Sequence, residues 1–212
     1  MNYHLDNIPE RDLKPRENGI TMVIDKGSSL RQCKDMIESS GKYIDFVKFG
    51  WATSYLIENL KEKIKLFHDA NISVYFGGTL FEAFVIRDQF KDYIKVLKDF
   101  DLKYAEVSDG SMTITHKRKC DYIKELSNHV TVLSEVGSKD TLKIIPPYKW
   151  IRQMSAELNA GAWKVIGEAR ESGTVGLFRS SGEVRQGLVE EILTEIPKEK
   201  IIWEAPKKGQ QV

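Results

Sequence analysis

The sequence predicts an α/β fold with parallel strands, and three observations carry that prediction. Seven short apolar runs rich in β-branched and aromatic residues are separated by segments whose apolar residues recur at helical spacing. The first run starts at residue 21 and the seventh at 201, so the six intervals average about 30 residues, the length of a strand-plus-helix unit. Charged residues gather where the runs end rather than along their middles. Strict alternation of strand and helix calls for right-handed crossovers between parallel neighbours.

Taken in order, the first run is Thr21 to Asp25, and Gly41 closes the helical stretch behind it as a C-terminal stop. Asp45 to Gly50 follows, with Leu56, Leu60, Ile64 and Phe67 marking one face of the next helix. The third run, Ser73 to Gly78, leaves through Gly77-Gly78-Thr79, which opens a helix; Tyr93, Ile94 and Leu97 form a further amphipathic face. After the fourth run, Tyr104 to Asp109, the basic triplet Lys117-Arg118-Lys119 reads as a solvated helix face. Val130 to Val136 is the fifth run. Pro146 and Pro147 sit just ahead of the helix of Trp150, Ile151, Met154 and Leu158, where proline suits a first turn, and Gly161 stands behind it. Lys164 to Arg170 and Ile201 to Ala205 are the last two runs, separated by the stripe Leu188, Val189, Ile192, Leu193 and Ile196.

An open doubly wound sheet ordinarily carries a glycine-rich phosphate turn after its first strand. Here Asp25-Lys26-Gly27-Ser28-Ser29 fits neither G-x-G-x-x-G nor G-x-x-x-x-G-K-[ST]. The prediction is therefore a TIM-like (β/α)8 barrel. Eight units at this spacing need about 240 residues, against 212 in the chain, so seven βα units are visible and the eighth is absent from this sequence. Residues 1–212 read as one barrel domain with 1–20 as an N-terminal arm, and no linker or low-complexity segment divides them.

Composition excludes several classes of function. With 32 basic and 31 acidic side chains the net charge is +1, which gives no field to gather nucleic acid or anionic lipid. No stretch approaches the roughly 18 apolar residues of a membrane span, and Met1 to Arg16 is polar where a signal peptide has an apolar core, so a cytoplasmic protein is expected. Cys33 and Cys120 lack C-x-x-C spacing and read as packing residues, which argues against a disulfide scaffold or a thiolate zinc site. His4, His68, His116 and His129 read as surface residues, and no G-x-S-x-G or kinase signature occurs.

Buried parallel strands normally read as near-continuous Val, Ile and Leu. In this chain their ends carry Asp25 and Lys26, then Lys48, Gly77-Gly78-Thr79, Glu106 with Ser108 and Asp109, Glu135 with Ser138 and Lys139, Glu168 with Arg170, and Glu204. A barrel brings such ends to one mouth. The charges either pair with one another as a buried layer that holds register or face a ligand. Burying several of them without partners is costly enough that the whole set reads as a site. Converging carboxylates suit a hard, oxygen-ligated divalent cation, most simply magnesium, and the interspersed Lys and Arg suit an anionic substrate. Gly77-Gly78-Thr79 either offers helix-opening N–H groups to an anion or is a tight turn.

The strand ends also form longer words. Lys14-Pro15-Arg16-Glu17, Asp45-Phe46-Val47-Lys48-Phe49-Gly50-Trp51, Gly77-Gly78-Thr79-Leu80-Phe81-Glu82 and Glu106-Val107-Ser108-Asp109-Gly110 resemble motifs of the phosphosulfolactate synthase family. So do Leu133-Ser134-Glu135-Val136-Gly137-Ser138-Lys139-Asp140, Glu168-Ala169-Arg170-Glu171-Ser172-Gly173-Thr174 and Glu204-Ala205-Pro206. The resemblance runs from about Lys14 to Gln211 and implies an eighth unit beyond Gln210-Gln211 in family members. It implies a magnesium-dependent lyase that adds sulfite to C3 of phosphoenolpyruvate to give phosphosulfolactate, a step toward coenzyme M in methanogens, and a small homo-oligomer.

For that chemistry the candidates are Lys139, then Lys48, as general acid toward C2, on the argument that an electropositive, desolvated mouth pulls a lysine pKa toward neutrality. Lys26 and Arg170, with Ser172, Gly78 and Thr79, are the substrate-binding candidates; Asp109, Glu135 and Glu168 are the metal candidates. Two other readings stay open: a related reaction on another phosphorylated enol or 2-oxo acid, and a non-catalytic barrel with a stress-protection or binding role, as the plant relatives suggest.

Overall fold

Strands form at all seven apolar runs: β1 (Met22–Asp25), β2 (Phe46–Phe49), β3 (Ser73–Phe76), β4 (Tyr104–Val107), β5 (Thr131–Val136), β6 (Ala162–Gly167) and β7 (Ile201–Trp203). They are seen in a computed structural model that describes residues 4–139 and 144–211, so Asp140, which ends one of the motifs, lies outside the described residues. The strands pair in parallel with their chain neighbours, in the orders β1-β2-β3 and β4-β5-β6-β7. β3 lies against β4, and among the described residues no ladder joins β3 to β4 or β7 to β1.

The connections supply α1 (Leu30–Ser40), α2 (Leu60–Asp69), α3 (Gly78–Val85), α4 (Phe90–Asp99), α5 (His116–Leu126), α6 (Pro147–Asn159) and α7 (Gln186–Glu195). Local chemistry sets several of their starts. Ser29 and Gln32 form a capping box on α1, Thr115 accepts the Arg118 N–H of α5, and Pro146-Pro147 begins α6. Leu56 falls outside α2 and is exposed.

Strand parity separates two cores. Outward residues such as Val47, Phe49, Val74, Phe76, Ala105 and Val107 pack with Ile64, Phe67, Leu97 and Ile123 of the helices. Inward residues form a second cluster to which all seven strands contribute: Phe46, Tyr75, Leu133, Ile166 and Ile202, with Met22, Tyr104 and Trp163 packed against them. Phe46 and Tyr104, from different sheets, meet edge to face at 4.8 Å between centroids. Strands that share one interior must curve around it, which is the barrel arrangement. Residues 4–20 carry neither helix nor strand and bind the opposite end. Arg11 and Arg16 both reach Asp45 Oδ2 at 3.3 Å, and Lys164 Nζ donates to the Glu17 carbonyl at 2.9 Å.

Candidate active site at the C-terminal ends of the strands

Because side chains alternate along a strand, the residue two beyond each inner apolar residue also points inward. Counting on from Phe46, Tyr104, Leu133, Ile166 and Ile202 gives Lys48, Glu106, Glu135, Glu168 and Glu204, all buried. Lys48 Nζ stands 2.9 Å from Glu106 Oε2, 3.4 Å from Glu135 Oε2 and 3.1 Å from Glu204 Oε1. Lys139 Nζ is 3.1 Å from Glu135 Oε1 and 3.7 Å from Glu168 Oε2, with 22% of its side chain exposed. Arg170 adopts φ 53°; its N–H donates to Glu168 Oε1 at 2.5 Å and its Nη1 to the Lys139 carbonyl at 3.2 Å. A cavity of about 1230 Å³ opens here and runs down between β1 and β7. Its lining includes Lys26, Lys48, Gly78, Thr79, Glu135, Lys139, Glu168 and Arg170.

The mouth holds four buried glutamates against two lysines, so it is acidic. Burial and the neighbouring Glu135 charge push the Glu168 carboxyl up to about 10. Burial likewise raises Glu106 to about 7 against the pull of Lys48. Burial would raise Glu135 too, but Lys48 and Lys139 outweigh it and hold Glu135 well below the usual carboxylate range. For Lys48 and Lys139 burial favours the neutral amine, yet the surrounding glutamates prevail and raise both above the ordinary lysine value. This corrects the expectation of a lysine drawn toward neutrality, since the field at the mouth has the opposite sign.

These shifts give a pH dependence. Folded Glu106 and Glu168 retain protons that the unfolded chain has released above the ordinary glutamate value of 4.5, so their contribution to stability is lost as pH rises through about 7 and about 10 respectively. Glu135 acts in the opposite sense, its contribution being present above 4.5 and lost in acid. Thermal unfolding of the metal-free protein is expected to show a Tm that falls from mildly acidic solution to about pH 10, at up to about 1.4 kcal/mol per pH unit for each retained proton. A flat profile over that range would contradict the buried protonated carboxyls.

Glu135, Glu168 and Glu204 each place a carboxylate oxygen within 4.8 Å of the others, and Glu168 Oε2 is buried without a hydrogen-bond partner. Three converging carboxyl groups fit a hard divalent cation such as magnesium, whose binding would displace the Glu168 proton.

Two of the expected site residues lie elsewhere. Asp109, one residue past the inward-facing Ser108, turns away from the mouth to Lys119 Nζ at 3.1 Å and does not meet Glu135 or Glu168 in the acidic cluster. Ser172 is exposed, bonds Thr174 at 2.7 Å and does not line the cavity. Gly78 is at the mouth, but its N–H donates to Glu106 Oε1 at 2.7 Å, so that helix-opening donor already serves a carboxylate. Lys119, expected on a solvated face, is buried, and His116 is half-buried with Nε2 3.1 Å from Glu157. Cys33 is a fully buried packing residue, and Cys120 is half-buried. Glu106 and Glu204, present among the strand-end charges but given no role, belong to the cluster.

Gly78 has a second constraint. A Cβ there would meet Ser108 Oγ at 2.2 Å, Ser108 Cβ at 2.5 Å and Glu106 Oε1 at 2.9 Å, all on buried side chains. Gly78→Ala is therefore expected to cost about 1–3 kcal/mol through overpacking, measured by denaturant unfolding, and an unchanged midpoint would show that the wall yields.

Comparisons with known proteins identify the family and the fold. The family model described as (2R)-phospho-3-sulfolactate synthase (ComA) matches residues 9–212. The phosphosulfolactate synthase of Bacillus subtilis (strain 168) is 42% identical over 214 residues, covering 100% of this chain and 85% of the relative. That of Methanothermobacter thermautotrophicus is 39% identical over 210 residues, covering 96% of this chain and 81% of the relative. Among solved structures, 3-hexulose-6-phosphate synthase from Salmonella typhimurium matches with TM-score 0.53 at 14% identity, covering 87% of this chain and 77% of that one. 3-Keto-L-gulonate-6-phosphate decarboxylase from Vibrio cholerae matches with TM-score 0.54 at 9% identity, covering 87% and 76%. Both are TIM-barrel-type enzymes and support the fold alone. On the near-complete family match and these identities, the chain belongs to the (2R)-phospho-3-sulfolactate synthase family.

Proposed function

We infer that this protein is a carbon–sulfur lyase that joins sulfite to phosphoenolpyruvate to give phosphosulfolactate. The single observation that carries the reading to this chain is the convergence of Lys48, Lys139, Glu135, Glu168 and Glu204 on one cavity in a member of this family. Sulfite sulfur forms a bond to C3, the C2–C3 π pair moves onto C2 and its carboxylate, and C2 takes a proton.

Lys139 is the proton donor. It is held in the ammonium form by Glu135 and Glu168 and borders the cavity, whereas Lys48 is enclosed by three glutamates and serves as their counter-ion. Glu135, Glu168 and Glu204 are the residues that would hold magnesium, with Asp109 removed from the set. Bound there, magnesium would supply positive charge to the substrate carboxylate. Arg170 and Lys26 at the rim, with Thr79 in the lining of the same cavity, bind the anionic phosphate and sulfite groups. Lys26 is paired with Glu171 and lies 5.2 Å from the Trp51 ring.

Incubation with phosphoenolpyruvate, sulfite and magnesium is expected to yield a sulfonated phosphoester by mass spectrometry, and no product under saturating conditions would sink the reading. Glu135→Gln keeps shape and removes one charge, so it is expected to shift the magnesium titration to higher concentration; an unchanged titration removes Glu135 from the ligand set.

A cytoplasmic setting accords with two free cysteines and with the absence, among the described residues, of a helix long and apolar enough to cross a membrane. Self-association accords with the sheet edges of β1 and β7, which have no ladder partner among the described residues, and light scattering at micromolar concentration tests it.

A further inference from the structure

We propose that Lys119, on α5 outside the strand layer, is a positioning residue that fixes the backbone of Glu135 and through it the Glu135–Lys139 pair; its kinetic signature rests on the reaction proposed above. Only 2% of the Lys119 side chain is exposed, and all three ammonium donors have partners on different elements. Nζ lies 2.5 Å from the Glu135 carbonyl, 3.1 Å from Asp109 Oδ1 in the loop after β4, and 3.0 Å from Glu157 Oε1 on α6. Glu157 in turn accepts Ser134 Oγ at 2.6 Å. Two consecutive residues of β5 are thus held from the helix side while the Glu135 carboxylate faces the mouth.

The β4–β5 ladder ends at the pair Val107 and Ser134, so the Glu135 carbonyl lies one step beyond its last rung. Lys119 supplies a donor there. Stability alone does not call for a lysine at this position, because a buried ion pair gains little over apolar packing, and its neighbours on the same helix face are Ile123 and Leu126. An apolar residue cannot give the carbonyl a direction, and a hydrogen bond can. Tilting that peptide moves the carboxylate that stands 3.1 Å from Lys139 Nζ.

A built-in comparator exists across the barrel. Lys63 of α2 is equally buried and holds Asp25 Oδ2 and the Ser28 carbonyl, both at 2.6 Å, without touching β5. The variants are Lys119→Met with Glu157→Gln, which removes the lysine and its fully buried partner and leaves only the half-buried Asp109 charged, and Lys63→Met with Asp25→Asn.

With phosphoenolpyruvate, sulfite and magnesium, the Lys119 pair is expected to lower kcat by about tenfold or more with KM changed by less than about threefold. The Lys63 pair is expected to keep kcat and raise KM, because it loosens the loop carrying Lys26. Hydrogen exchange should rise at 131–139 in the Lys119 pair while α1 and α2 stay protected. Unchanged kcat in the Lys119 pair, or equal kcat losses in both pairs, overturns the proposal. Should the unmodified protein form no product, the proposed reaction fails and exchange alone decides: loosening confined to 131–139 supports Lys119, and uniform or absent loosening overturns it. If the double variant does not fold, Lys119→Arg, which keeps the charge and displaces the donors, carries the same comparison.

Discussion

Lys48→Met is expected to destabilise the protein by about 3–5 kcal/mol at neutral pH, the usual cost of stripping one partner from a buried ion cluster. Lys48 Nζ is the shared cation of Glu106, Glu135 and Glu204, which are all buried. Removing it leaves carboxylates that neither water nor another cation reaches well, since Lys139 touches only Glu135 and Glu168. The defect should shrink in acid, where protons take over the neutralisation that Lys48 performs. Denaturant unfolding at two pH values checks both parts. A loss below about 1 kcal/mol at neutral pH, the scale of an exposed pair, would mean that the cluster is solvated.

Lys139→Met is expected to lower turnover by roughly 100-fold or more, the scale for losing a general acid, while phosphoenolpyruvate affinity changes less. Stability should fall less than for Lys48, because Lys139 lies at the rim and keeps 22% of its side chain exposed. Steady-state kinetics at saturating sulfite, with direct binding of phosphoenolpyruvate, separates the outcomes. Near-normal kinetics would make Lys139 a bystander. Weakened binding with unchanged turnover at saturation would make it an anion clamp and move the proton donor elsewhere.

Much of this arrangement was legible in the residues, because the barrel imposes simple parities. Six of the seven strands lie within their apolar runs and β6 starts two residues ahead of its run, at Ala162, while Lys48, Glu135, Glu168 and Lys139 line the mouth at their strand ends. Asp109 was misplaced because being near a strand end does not settle which way a side chain points. It is an odd number of residues from the inward Glu106, and that parity sends it outward to α5.

Lys119 was misread from its basic neighbours. Its spacing to Ile123 and Leu126 already placed it on the buried stripe of α5, as the spacing of Lys63 to Leu60, Ile64 and Phe67 did on α2. Glu157 shares a stripe with Trp150 and Met154 in the same way. What no pattern in the chain discloses is the sign of the field at the mouth. That depends on how four carboxylates and two ammoniums are packed in three dimensions, and it turned a lysine expected near neutrality into one held firmly protonated.

The division of the strands between two ladders bears on how the chain assembles. Each strand pairs only with its chain neighbour, 24 to 36 residues along the chain, so β1-β2-β3 and β4-β5-β6-β7 can each form from their own residues. Within the ion cluster around Lys48 their contributions are unequal: the first segment supplies Lys48, and the second supplies Glu106, Glu135, Glu168 and Glu204 with Lys139. A half-barrel of the second kind cannot exclude water from its own strand ends, because too few cations stand among its carboxylates. On this reading the mouth dries when the first half docks and brings Lys48 to those carboxylates. Docking becomes an electrostatic recognition between two parts of one chain, slowed by salt and relieved of its need for Lys48 in acid. The ion cluster that serves chemistry in the finished protein would then also act, during folding, as the check that the two halves have met in register.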